Sequence, residues 1–186
     1  MNDTLYLSLD TETGGLGDEV SILSAHFIVL DYNLNIVDEL GLLLKPNDGH
    51  YVVNAEALNI NKINLIEHDK AALTYSQAGG SLREFLWKHS QNGKIKLIPI
   101  GKNVAFDIKK LTDNVLQPKT WNQFVSYRLY DLTGLILFLK RQGKLDLTAP
   151  ESLEGISKHF NIPIDAHTAR GDAVANVEVL RVLEAL

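Results

Sequence analysis

Apolar and polar residues alternate at the start of the chain. Leu5, Leu7 and Leu9 are spaced by Tyr6 and Ser8, the period of a β-strand. The pattern runs into Asp10 and Glu12, and Gly14 and Gly15 then break it. Residues 20–31 (V-S-I-L-S-A-H-F-I-V-L-D) and 36–46 (I-V-D-E-L-G-L-L-L-K-P) are rich in β-formers, with turn residues at 31–35 between them. The three stretches predict an antiparallel meander. His26, inside the second, reads as a packed or edge histidine. Residues 47–67 read as irregular, with one helical turn over 54–59 and Ile60, Ile63, Leu65 and Ile66 as apolar anchors. Leu82, Phe85, Leu86 and His89 follow helical spacing over 76–90. Gly79 and Gly80 weaken the start of that helix, and Asn92-Gly93 ends it.

Residues 94–101 (K-I-K-L-I-P-I-G) read as a short strand whose Pro99 belongs at its end or at an edge. A helix follows, with Asn103 as N-cap, Val104, Ile108 and Leu111 on its apolar face, and Pro118 as its stop. Residues 124–131 predict a fifth strand, 133–142 a helix, 143–150 a loop, 152–160 a short helix and 169–186 the last helix. The order implies an α/β fold: a mixed five-stranded sheet, three antiparallel strands then two parallel, flanked by helices. No linker or repeat interrupts it, so residues 1–186 are expected to form a single domain.

Composition narrows the function classes. The chain has 186 residues, 45% of them hydrophobic, enough for a substantial core. Its net charge of −5 argues against a strongly basic nucleic-acid coat, though not against a small acidic site that binds metal. There is no cysteine, which excludes disulfides, thiolate zinc sites and a cysteine nucleophile. The start, M-N-D-T-L-Y-L, lacks the basic residues and long apolar run of a signal peptide. No apolar run reaches membrane-spanning length. A cytoplasmic protein without membrane contact is the expectation.

The candidate chemistry begins at the first strand. Residues two apart in a strand point to one face, so Asp10 and Glu12 aim two carboxylates at one place if extension lasts that far. Such a pair repels, and a hard divalent cation such as Mg²⁺ relieves it. The alternative is a solvated strand end. Asp107, four residues after the expected cap, and Asp172, in the first turn of the last helix, each read alone as N-terminal charge stabilisation. Together with Asp10 and Glu12 they offer four carboxylates, about the charge that two Mg²⁺ ions cancel. Two such ions about 4 Å apart can clamp the attacking and leaving oxygens of a phosphoryl displacement. His167, five residues before Asp172, could take the proton of the attacking water.

These residues spell three motifs: D-T-E-T-G-G-L, G-K-N-V-A-F-D and H-T-A-R-G-D. In order and spacing they resemble the three exonuclease motifs of the DEDDh (DnaQ-like) 3′→5′ exonucleases, which include proofreading subunits, ribonuclease T and oligoribonuclease. The resemblance spans Asp10 to Asp172. It implies a ribonuclease-H-like fold, two Mg²⁺ ions with Mn²⁺ as a substitute, and release of nucleoside monophosphates from a 3′ end. It makes Asp10, Glu12, Asp107 and Asp172 metal ligands and His167 the base. Gly14 stands where the family often has threonine, and Lys102 where it often has histidine. A backbone contact from Gly14 and a solvated Lys102 are expected. Asp131 reads as a helix cap or supporting hydrogen bond rather than a metal ligand.

The resemblance also implies the substrate contacts: Thr13, Gly14, Gly15, Leu16, Leu58, Asn59, Asn103 and Phe106. Leu16 matches the family's hydrophobic wedge, with core packing as the alternative. Ala57-Leu58-Asn59 resembles the segment that packs on the terminal nucleotide, with a helix anchored by Leu58 as the alternative. Phe106 stacks on a base or fills the core. Arg170 meets a phosphate or is solvated. The expected substrate is the 3′ end of single-stranded nucleic acid. DNA is slightly favoured, because the first motif resembles proofreading-type domains. Exoribonuclease activity on short RNA, an endonuclease of the same fold, and a non-catalytic end- or partner-binding module are the alternatives. A polymerase, a repair factor or a second copy of the chain is a candidate partner.

Overall fold

A computed structural model describes residues 4–186; Met1–Asp3, part of the stretch read for a leader, lie outside the described residues. Three strands form the meander: β1 (Tyr6–Thr13), β2 (Ile22–Leu30) and β3 (Ile36–Lys45). They pair antiparallel, with Asp10 opposite His26 and Glu12 opposite Ser24. The short β5 (Ile98–Gly101) lies parallel to β1, and β6 (Tyr130–Asp131) parallel to β5. On the other edge the two-residue β4 (Leu73–Thr74) lies parallel to β3. The sheet order is β4-β3-β2-β1-β5-β6, the expected five strands plus one too short to show a period.

Helices cover both faces. The helices are α1 (Ala55–Asn61), α2 (Leu65–Ala71), α3 (Tyr75–His89), α4 (Val104–Asn114), α5 (Pro118–Phe124), α6 (Leu132–Arg141), α7 (Leu153–His159) and α8 (Ala169–Glu184). Leu7 and Leu9 of β1 join one core with Leu82, Leu86, Val104, Leu111 and Trp121, from α3, α4 and α5. Tyr6 packs into a second core with Ile136, Ile156, Val177 and Leu180, from α6, α7 and α8. The intervening Ser8 is fully buried, and its hydroxyl donates to the Ala173 carbonyl of α8 at 2.8 Å. Being central, β1 is thus covered on both sides, and its alternation decides which helix each side chain meets.

Several expectations change. Pro118 does not stop α4; it opens α5 at a first-turn position, where its missing N–H costs nothing. Residues 124–131 are not one strand. Val125 forms an isolated bridge to Leu97, Arg128 N–H donates to Ser126 Oγ at 2.9 Å, and only Tyr130 and Asp131 pair with β5. Residues 94–97 precede β5 as a turn and a bridge. Asn103 stands at the N-cap of α4, but with φ 56° and no side-chain cap bond; its Oδ1 accepts from Thr133 Oγ1 at 2.9 Å instead. Ile60 and Ile66 are exposed rather than anchoring. Among the described residues no helix is long and apolar enough to cross a membrane.

Candidate active site

The end of β1 carries the site. Extension lasts through Glu12, so Asp10 and Glu12 follow Tyr6 and Ser8 onto the α8 side of the sheet. Asp172 sits in the first turn of α8, the helix that Ser8 ties to β1. Carboxylate oxygens of Asp10, Glu12 and Asp172 lie within 4.8 Å of one another, a spacing at which three acids can share one ion.

Asp107 arrives from the opposite side, and Thr11 is the reason. Thr11 follows Leu7 and Leu9 toward α4, and both its N–H and its hydroxyl donate to Asp107 Oδ1, at 3.0 and 2.6 Å. Asp107 is buried beside the trio rather than inside it. Its charge is still felt: after burial, Asp107 is the largest influence raising the pKa of Asp10, ahead of Asp172 and Glu12. Thr11 was missed in the sequence. The signal was its place between the two acids, on the other face of the strand.

Among the described residues the acids are held without a paired lysine or arginine. Burial, then Asp172 and Asp107, pushes Glu12 up to about 7. Burial lifts Asp107 to about 6 despite the Thr11 hydrogen bonds. Burial also raises Asp172, partly offset by the backbone N–H and charge of His167. Uncompensated hard oxygen donors at this spacing fit a divalent metal ion.

This arrangement predicts a pH-dependent stability. Free carboxylates titrate near pH 4, whereas these hold their protons to higher pH when folded. Through roughly pH 4–7 the folded chain therefore binds more protons than the unfolded one, and stability falls as pH rises. In EDTA the melting temperature should drop between pH 5.5 and 8. At pH 8, Mg²⁺ at a hundred times its Kd should restore about 2.7 kcal/mol, or roughly 5–10 °C in a chain of this size. A melting temperature that ignores both pH and Mg²⁺ would refute the metal-site reading.

His167 lies just before α8, exposed and in the left-handed region at φ 65°. Its backbone N–H donates to Asp172 Oδ2 at 3.3 Å. Thr168 caps α8 by accepting from the Gly171 N–H at 3.0 Å, and its hydroxyl donates to the Asp165 carbonyl at 2.9 Å. This loop presses so closely on the helix that a Cβ at Gly171 would stand 1.9 Å from the Asp165 oxygen. Arg170 is exposed but engaged: its guanidinium meets both carboxylate oxygens of Glu39, at 3.1 and 3.2 Å. Glu39 in turn meets His26, the cross-strand neighbour of Asp10, at 2.9 Å. The start of α8 is thereby tied to the sheet. Asp131 caps α6 by accepting from the Thr133 N–H at 2.8 Å, in keeping with the supporting role read from the sequence.

An open groove of about 480 Å³ adjoins Glu12, lined among others by Thr13, Gly15, Leu16, Ala57, Ile60 and Phe106. Leu16 is 87% exposed, which overturns the core-packing alternative. Gly14, Leu58, Asn59 and Asn103 do not line this groove. Gly14 is buried with both backbone groups occupied: its N–H donates to Ser21 and its carbonyl accepts from Asn54, each at 2.8 Å. A Cβ there would meet the Val52 oxygen at 2.5 Å, which accounts for glycine in place of threonine. The rotation of α1 presents Ala57, Ile60 and Asn61 to the groove. Asn61, unremarked in the sequence, is buried, and its Nδ2 donates to the Thr13 carbonyl at 3.3 Å.

No family model matches the sequence, and no curated protein matches it. Solved structures do match. E. coli exonuclease I in complex with a dT13 oligonucleotide aligns with a TM-score of 0.81 at 18% identity, over 97% of this chain and 41% of that one. The apo form of exonuclease I aligns at 0.79 with 18% identity, over 98% and 42%. The zinc-bound form of the E. coli enzyme with single-stranded DNA aligns at 0.76 with 20% identity, over 98% and 40%. The chain spans about two fifths of the length of these structures. It shares their ribonuclease-H-like fold.

Proposed function

We propose that residues 1–186 form one exonuclease domain. It hydrolyses phosphodiester bonds at the 3′ end of single-stranded nucleic acid, DNA rather than RNA, and releases nucleoside 5′-monophosphates. The observation that carries this reading is the meeting of Asp10, Glu12 and Asp172 without a counter-cation, next to a groove with apolar walls. Asp107 completes the acid set from the far face of β1.

In this reading Asp10, Glu12 and Asp172 hold one Mg²⁺, and Asp107 contributes to the site of a second, with Mn²⁺ as a substitute. Bound there, the ions supply Lewis-acid polarisation of the phosphate and stabilise both the entering and the leaving oxygen. The protein's own groups do the rest. The His167 imidazole takes the proton of the attacking water as that water's oxygen bonds to phosphorus and the P–O3′ bond breaks, and the departing O3′ takes a proton from solvent to become the new 3′-hydroxyl. Leu16 and Phe106 hold the terminal base, since apolar and aromatic contacts tolerate any base. Thr13 and Gly15 line the groove between the carboxylates and Leu16. Net charge −5 leaves the rest of the strand weakly gripped, so the contact is a few nucleotides long.

DNA is favoured because the similar structures include exonuclease I bound to DNA oligonucleotides. Digestion of matched DNA and RNA oligomers, each labelled at either end, in Mg²⁺ and in EDTA, tests the proposal. DNA mononucleotides released from the 3′ end in Mg²⁺ alone are expected. Preferential RNA trimming would reassign the substrate, internal fragments would point to an endonuclease, and binding without cleavage to a non-catalytic module.

A further inference from the structure

Lys110 is 2% exposed, among the largest fully buried side chains of the molecule, and the chemistry above does not use it. It lies on α4, one turn after Asp107 and Phe106. Among the described residues no carboxylate pairs with it. Its ammonium instead donates to the carbonyls of Gly17 and, at 3.1 Å, Asp18, and stands 5.6 Å from the centre of the Phe106 ring. Burying an ammonium is unfavourable, and here carbonyl dipoles and an aromatic face take the place of a counter-ion.

The two carbonyls belong to the turn that carries Leu16. Among the described residues, no backbone–backbone hydrogen bond ties 15–19 to another element; the turn at 18–19 and the bond from Thr13 Oγ1 to the Gly15 carbonyl, at 2.6 Å, are local. Lys109 adds a pair with Asp18 at 3.0 Å, but both side chains are mostly exposed, and such pairs contribute little. The turn is therefore fastened chiefly by one buried lysine. That lysine shares a helix with Phe106, which lines the same groove as Leu16.

We propose that Lys110 is a positioning residue for substrate. Its bonds to the Gly17 and Asp18 carbonyls hold the 16–19 turn so that the exposed Leu16 is already in place at the groove. This role rests on the nuclease reading and acts through Leu16. Ordering the turn in advance spares the bound strand that entropy, so loss of Lys110 raises KM rather than lowering kcat.

Three substitutions test it: Lys110→Met, which keeps the apolar volume, Lys110→Gln, which keeps N–H donors, and Leu16→Ala alone and combined with each. Backbone ¹⁵N order parameters of residues 16–19 without nucleic acid are read beside KM and kcat on a single-stranded DNA oligomer. Lys110→Met is expected to lower the order parameters of the turn from about 0.85 to below about 0.6 and leave those of α4 unchanged. It should raise KM about tenfold with kcat within twofold. Leu16→Ala should add less than twofold in that background, and Lys110→Gln should recover part of both effects. Unchanged order parameters in the turn, or a full Leu16→Ala effect on top of Lys110→Met, would overturn the proposal. If Lys110→Met does not fold, the Lys110→Gln and Leu16→Ala combination decides by the same criterion. If wild type neither binds nor cuts any oligomer while Lys110→Met still frees the turn, the nuclease reading falls and the fastening role of Lys110 stands.

Discussion

Asp10→Asn should abolish cleavage, with a fall of at least about a thousandfold, and should weaken divalent-metal binding in parallel. Burial, then Asp107, Asp172 and Glu12, all raise the pKa of Asp10. The amide keeps the shape and one oxygen but loses the charge that would hold the ion. The same change should raise the melting temperature in EDTA at pH 8, because it removes a buried charge that repels three neighbours. Activity and metal-free stability thus move in opposite directions. A variant that merely damaged the fold would lose both. Isothermal titration with Mn²⁺, a melting curve in EDTA and a cleavage assay read the three effects on one preparation. Retained metal affinity in Asp10→Asn would show that the ion sits elsewhere.

His167→Ala should lower kcat by about a hundredfold to ten-thousandfold, the range expected for removing a general base. Metal affinity should stay within a few-fold of wild type. The hydrogen bond this residue makes to the acid cluster is through its backbone: the His167 N–H donates to Asp172, and that bond survives truncation of the ring. Thr168 and Gly171 hold the loop by bonds that do not involve the imidazole. Glycine at 167 is an informative companion, since it relaxes the left-handed backbone while removing the same ring. If alanine and glycine lose turnover equally, the ring matters and not the backbone. Parallel loss of metal affinity in either variant would mean that His167 shapes the site and does not accept the proton.

The acids were legible because a strand's period of two is strict. Once β1 was read from Leu5, Leu7 and Leu9, the shared direction of Asp10 and Glu12 followed. The motif order supplied Asp107 and Asp172. The strand period turns Thr11 away from Asp10 and Glu12, but that it meets Asp107 of α4 there was not legible, because packing decides which helix covers that face. Helix rotation was equally hidden. The α1 segment was found, but a seven-residue helix has too little apolar pattern to show that Ala57, Ile60 and Asn61 face the groove and Leu58 and Asn59 do not. Pro118 permits either the end of one helix or the first turn of the next, and only packing of Trp121 and Phe124 into the core decides between them. Lys110 sits beside Leu111 on the inner face of α4, where a charged residue breaks the apolar pattern. Its partners are two carbonyls from a distant turn, which carry no sequence signal.

Anomalous diffraction from crystals soaked in Mn²⁺ tests the central claim most directly. The arrangement of side chains predicts one ion in contact with the carboxylates of Asp10, Glu12 and Asp172, and a second within reach of Asp107. Both should disappear in Asp10→Asn crystals soaked in the same way. Full occupancy at a site remote from these four acids, with none between them, would contradict the assignment.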